Sequence, residues 1–151
     1  MLRFETLDDM LADARACAAG RLKQLGNWSL GQALNHIAAW IEYPFVGYPP
    51  ELRFPDEMKA GAAAAKQRLM DETMKPGERL PGIAAGTLAI DDVPTAVGLA
   101  RLETAAARLA SGGPGDVLPL PDPYFGPVTH HEWTEINLRH AELHLGFFVA
   151  G

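Results

Sequence analysis

The chain has 151 residues, 48% hydrophobic and 21% charged, a balance that supports one globular domain with a sizeable core. A net charge of −6 and a pI near 5.3, with no basic run, exclude the clustered Lys and Arg that a nucleic-acid or anionic-membrane surface requires. The single cysteine, Cys17, excludes an internal disulfide, and with no signal-type stretch and no run of about 18 apolar residues the expectation is a soluble, cytoplasmic protein.

Thr6 to Ala19 reads as the first helix. Thr6 with Asp9 forms a capping box, and Leu7, Met10, Leu11, Ala14, Cys17 and Ala18 recur at helical spacing before Gly20 stops it. Cys17 falls on the apolar face, with nothing near it in sequence to activate the thiol, so it reads as a small buried residue. After the link Gly26-Asn27-Trp28, a second capping box, Ser29 with Gln32, opens a helix over Ser29–Tyr43 with Leu30, Leu34, Ile37 and Ile41 inward. Pro44 is expected to end it. His36 lies on the flank of that stripe, on the side of Ala33 and Trp40.

Residues 44–90 read as one long crossover: Pro/Gly-rich at 44–56 and 76–90, with an Ala-rich helix from Asp56 to Met74 weakened by Gly61. Asp91 or Asp92 is expected to cap the next helix, with Pro94 in its first turn, Val93, Ala96, Leu99, Leu102, Ala106 and Leu109 buried, and Gly112-Gly113 as the stop. The loop from Pro114 to Pro127 then delivers Tyr124, Phe125 and Gly126 to the start of the last helix, which makes Tyr124 a candidate rim residue.

Thr129 to Phe148 is the most informative stretch. Thr129 and Glu132 form a third capping box, and Val128 with Trp133 are placed as a hydrophobic staple. On a helix of about 100° per residue, Ile136, Asn137, His140, Leu143, His144, Phe147 and Phe148 fall within about 80° of Trp133. Glu132, Glu135, Arg139, Glu142 and His131 take the opposite face, and His130-His131 read as a solvated first turn. His140 and His144 therefore stand one above the other in the middle of an apolar stripe, where their ring nitrogens must find partners. A shared metal ion supplies them. His130 shares the face but lies roughly 15 Å along the axis, too far for the same ion, and the spacing is not that of an HExxH protease.

Four amphipathic helices without a convincing strand predict an all-α four-helix bundle, with a long crossover containing an extra helix between the second and third bundle helices, in a single domain over 1–151. His36 is the other histidine placed to face the core. An isolated histidine there is more commonly a hydrogen-bonded core residue, but with His140 and His144 it completes a three-imidazole set that leaves a coordination position open, as catalytic rather than structural sites do.

Trp28-Ser29-Leu30-Gly31-Gln32 leading to Asn35-His36, together with Phe125-Gly126-Pro127-Val128-Thr129, Glu132-Trp133 and His140 through Leu145, resembles the DinB/YfiT-like superfamily, and more narrowly a branch known as a conserved domain of unknown function. The resemblance implies a four-helix bundle carrying a divalent metal on one histidine of the second helix and two, spaced by four, of the last; these positions fall on His36, His140 and His144. It further implies thiol-dependent transferases and isomerases or metal-dependent hydrolases. This chain departs from the branch at Asp122, Leu143 and Phe147, none of them a ligand position. The reading is a metal-dependent hydrolase or thiol S-transferase using zinc, nickel, iron or manganese to activate water or a low-molecular-weight thiol. Asn137 and Tyr124 are candidates to orient the small-molecule substrate, and Trp40 and Tyr43 to wall the pocket. The competing reading is a non-catalytic metal- or ligand-binding bundle, and a homodimer through an apolar face is compatible with both.

Overall fold

The computed structural model describes residues 2–77 and 88–151. The fold is mostly helical, with five α-helices, one short 3-10 helix and one small two-stranded sheet among the described residues. In chain order these are α1 (Leu7–Ala19), β1 (Leu22–Gln24), α2 (Leu30–Val46), a 3-10 turn (Asp56–Gly61), α3 (Ala62–Asp71), α4 (Thr95–Ala110), α5 (His130–Leu145) and β2 (Phe148–Ala150). α2 runs against α4, α1 packs on α4 and α5, and α3 covers α5. Met10, Leu34, Ile37, Ile41, Leu102, Leu109, Leu138 and Leu145 form the center of their shared core. No helix of the described residues is long and apolar enough to cross a membrane.

All three capping boxes form, each with both reciprocal bonds: Thr6 with Asp9, Ser29 with Gln32, and Thr129 with Glu132. Val128 and Trp133 are buried in the same core, as a staple requires. The close approach of α2 and α4 needs glycine on both sides. A Cβ on Gly31 would lie 1.8 Å from the Val93 carbonyl oxygen, and one on Gly98 would lie 2.9 Å from the Gly31 oxygen. Arg101 then ties α4 to α2 through Glu42 (2.7 Å) and Asn35 (2.7 Å).

Several boundaries differ from expectation. Pro44 does not end α2: the helix continues to Val46, closed by the Gly47 N–H on the Tyr43 carbonyl, with Gly47 at φ +119°. The proline removes one hydrogen bond there, and a turn this close to the helix end tolerates that loss. Neither Asp91 nor Asp92 caps α4, whose N-cap is Pro94; the Asp92 carboxylate instead accepts from the Ser29 hydroxyl at 2.7 Å. Ala96 is exposed and Val93 and Leu99 are only partly buried, so the inward stripe begins at Gly98. The helix expected over Asp56–Met74 is a 3-10 turn followed by α3, with Gly61 at the junction. Residues 78–87 of the expected crossover lie outside the described residues.

The last helix stops at Leu145, short of Phe148, and the chain that follows pairs antiparallel with β1, Gln24 facing Phe148 and Leu22 facing Ala150. Alternation over three residues is too short to register as a strand in sequence. This small sheet has a large positional effect, because it holds the Gly26-Asn27-Trp28 link against the end of α5.

The polar face of α5 is also covered. Arg139 (1% exposed) and Glu142 (3%) are buried and pair at 2.9 Å, contrary to the solvated placement the helix period suggested. Glu142 accepts from the Phe4 backbone N–H at 2.8 Å and from the Thr73 hydroxyl, and Arg139 donates to the Phe4 carbonyl. The residues preceding α1 and following α3 thus seal that face, a tertiary effect that no local periodicity encodes. His130 is buried as well, its ring Nδ1 2.7 Å from the Leu109 carbonyl and its edge filling the space a side chain at Gly112 would need; His131 alone is exposed.

Candidate metal centre

His36, His140 and His144 meet. His36 comes from the middle of α2 and is 1% exposed; the other two are partly buried one turn apart on α5. Nε2 of His140 lies 3.0 Å from Nε2 of His36 and 3.0 Å from Nε2 of His144, and one ligand atom from each residue falls within 4.8 Å of the others. Ligand bonds of about 2.0–2.1 Å at angles between about 90° and 109° give nitrogen separations of roughly 2.8–3.4 Å, so the two short edges have the length that a common ion would impose.

The proton inventory supports the same reading. His36 Nδ1–H donates to the Leu88 carbonyl at 2.7 Å, which places its lone pair on Nε2. This is the backbone anchor that ligating histidines commonly use to fix tautomer and ring orientation. Nε2 of His140 carries either one proton or one lone pair, so its two 3.0 Å contacts cannot both be ordinary hydrogen bonds. A cation accepting three lone pairs removes the conflict.

Burial keeps the rings neutral. It pushes His36 down to about 4, against the opposing pull of the Leu88 and Ala89 carbonyls, and with the charge of His36 it pushes His144 down to about 3. His140 is held well below the usual imidazole range by burial first and then by its two neighbors. Deprotonated imidazole is the ligand form, so metal binding has few protons to displace at neutral pH.

The three rings form one end of a cavity of about 460 Å³, large enough for a drug-sized molecule. Trp28 stacks on His144 (centroids 4.8 Å, planes 10° apart) and meets His36 edge-on at 5.0 Å. Trp40 packs edge-on to His36 and His140 at 6.2 and 5.9 Å and lines the cavity. Tyr43 is not among the lining residues and instead backs Trp40 at 5.1 Å. Asn137 and Tyr124 both line the space, but the Asn137 amide donates to the Trp133 carbonyl at 2.9 Å and the Tyr124 hydroxyl lies about one van der Waals contact from where a Gly61 side chain would begin. Glu142 is absent from the lining, as its phase on α5 predicts.

Sequence reasoning passed over Trp28 and gave no role to Asp122. The signal for Trp28 was its position immediately before the Ser29 cap, where an apolar residue folds back on its helix; its contact with His144 depends on the β1–β2 pairing. Asp122 was marked by its place beside Pro123 and shortly before Gly126, a turn combination.

No curated protein and no solved structure matches the chain. A family model matches residues 1–151 from end to end, and the chain belongs to the family described as Protein of unknown function (DUF1569).

Proposed function

We propose that the chain is a bundle of the DinB/YfiT type, with the segment between α2 and α4 as its crossover, and that His36, His140 and His144 hold a divalent metal ion in a small-molecule enzyme site. The observation that supports this most strongly is the meeting of three neutral imidazole nitrogens, whose protons cannot satisfy both short contacts, at one end of a largely apolar cavity. Bound there, zinc, nickel, iron or manganese supplies Lewis acidity that activates water or a thiol, the chemistry of hydrolases and of thiol S-transferases.

The chain's own residues do the remaining work. Leu88 and the Trp28 stack orient the rings, while Trp40, Leu69 and Phe125 exclude bulk water from the space in front of them. The second reading, a metal- or ligand-binding module without turnover, draws support from Asn137 and Tyr124, since the amide nitrogen of the first is committed to Trp133 and the hydroxyl of the second lies toward Gly61.

Elemental analysis of the purified protein, before and after incubation with zinc, nickel or manganese, tests the centre. About one ion per chain is expected in the wild type and in His131→Ala, and none in His140→Ala or His144→Ala; a wild type without stoichiometric metal after incubation sinks the proposal. Assays against esters and thiol adducts, with and without metal, then separate enzyme from binding module.

A further inference from the structure

One wall of the cavity in front of the three histidines is α3. Ala65, Arg68 and Leu69 stand three and four residues apart on that helix, so they share the face turned to the space, Leu69 buried in the core and Arg68 exposed at the mouth. Among the described lining residues Arg68 is the one lysine or arginine. It has another interaction in the fold, and a planar fork of five N–H donors leaves capacity beside that interaction for a carboxylate held by two parallel bonds. Lys75 adds positive charge between the lining residues Met74 and Pro76 without lining the space itself.

Asp122, the one carboxylate in the described lining, is already engaged. It accepts from the backbone N–H groups of Tyr124 (2.8 Å) and Phe125 (2.9 Å), and the Tyr48 hydroxyl faces it as a further donor. At the inner end the imidazoles are neutral, and the cluster they form includes no carboxylate, so a divalent ion held there keeps its full double charge. Both ends of the space are therefore electropositive. The chain's overall −6 acts the other way, but at physiological salt solvent-exposed charges more than about 8 Å apart are largely screened, so the local sign decides. Between the two ends Trp28, Trp40, Phe125 and Trp133 present aromatic surface suited to a ring.

We infer that the cavity takes a small carboxylate with an aromatic body, the carboxylate paired with the guanidinium of Arg68 at the mouth and the body lying among Trp28, Trp40, Phe125 and Trp133 toward the three histidines. This names the substrate class for the centre proposed above and rests on that reading for the word substrate. Selection by Arg68 and the holding of metal are separable, because the guanidinium is not part of the histidine cluster.

The test is calorimetric titration of the purified, metal-analysed protein at pH 7 with 3-phenylpropanoate and with its neutral counterpart 3-phenylpropanamide. Because Arg68 is partly in solvent, the expected preference of the wild type for the carboxylate is modest, at least about fivefold. In Arg68→Gln it should shrink to within about twofold, with the amide affinity and the metal content unchanged, and in His140→Ala it should persist. Equal affinities in the wild type overturn the inference, and so does failure of both probes to bind. A preference that survives in Arg68→Gln assigns the carboxylate to Lys75 or to the ion, loss in His140→Ala marking the ion, and either result overturns it. Should the glutamine variant not fold, Arg68→Met takes its place under the same criteria. A preference that follows Arg68 in protein without metal sinks only the metal centre, whereas full metal content without the preference sinks only this inference.

Discussion

Replacing Glu142 with glutamine is the sharpest probe of how α5 is held. The substitution keeps the side-chain volume and an oxygen for the Phe4 N–H, and it leaves the Arg139 guanidinium buried at 2% side-chain exposure with no counter-charge. Removing one partner of a buried pair costs about 3–5 kcal/mol, against about 0–1 kcal/mol for a solvated pair on the outside of a helix. For a chain of this size each kcal/mol lowers Tm by about 2–4 °C, so a fall of roughly 6–20 °C is expected. Urea denaturation followed by far-UV circular dichroism measures it directly, and the double variant Arg139→Met with Glu142→Leu should recover most of the loss because no charge remains to be desolvated. Neither residue lines the cavity, so metal stoichiometry of the folded fraction stays the same. A loss below about 1 kcal/mol for Glu142→Gln would refute the buried clamp and return α5 to the simple amphipathic helix its period suggests.

Other expectations follow from the same structure. In metal-free protein, His36 and His144 have folded pKa values near 4 and 3, below the unfolded 6.5, so the stability they contribute is whole above about pH 6.5 and drains away as pH falls through those values. For His36 alone the drop amounts to about 3 kcal/mol at about 1.4 kcal/mol per unit. Urea midpoints between pH 7 and pH 4 should show a steeper loss in wild type than in His36→Gln, and parallel curves contradict the assignment. The Gly31→Ala variant should lose more than about 2 kcal/mol or fail to accumulate, since its methyl would meet the backbone oxygen of Val93; unchanged stability means α2 and α4 are farther apart than described. Cys17, pushed up to about 11 by burial and by Asp13, should react with a thiol reagent about 100-fold more slowly in the native protein than in urea, and equal rates contradict its burial.

Legibility in the sequence divided along a physical line. Short-range chemistry was readable: each capping box joins residues three apart, and the phase it sets on α5 is what put His140 and His144 on one face. The same wheel misplaced Arg139 and Glu142, because a helical period reports contrast between faces and cannot report that Phe4 and Thr73, each more than 60 residues away, close over the polar one. Pro44 failed as a stop for a related reason: the cost of a missing N–H depends on how many turns follow it, and here only one does. His36 was legible by its face alone, yet its role in the centre depends on Leu88, 52 residues later, whose carbonyl decides which ring nitrogen keeps the lone pair. Trp28 needed still more, since its stack on His144 follows from a three-residue strand pairing that lies below the length at which alternation carries information. The three histidines that meet were therefore nameable from periodicity, whereas the groups that orient their rings, and the carboxylate that shares their cavity, came from contacts between segments distant in the chain.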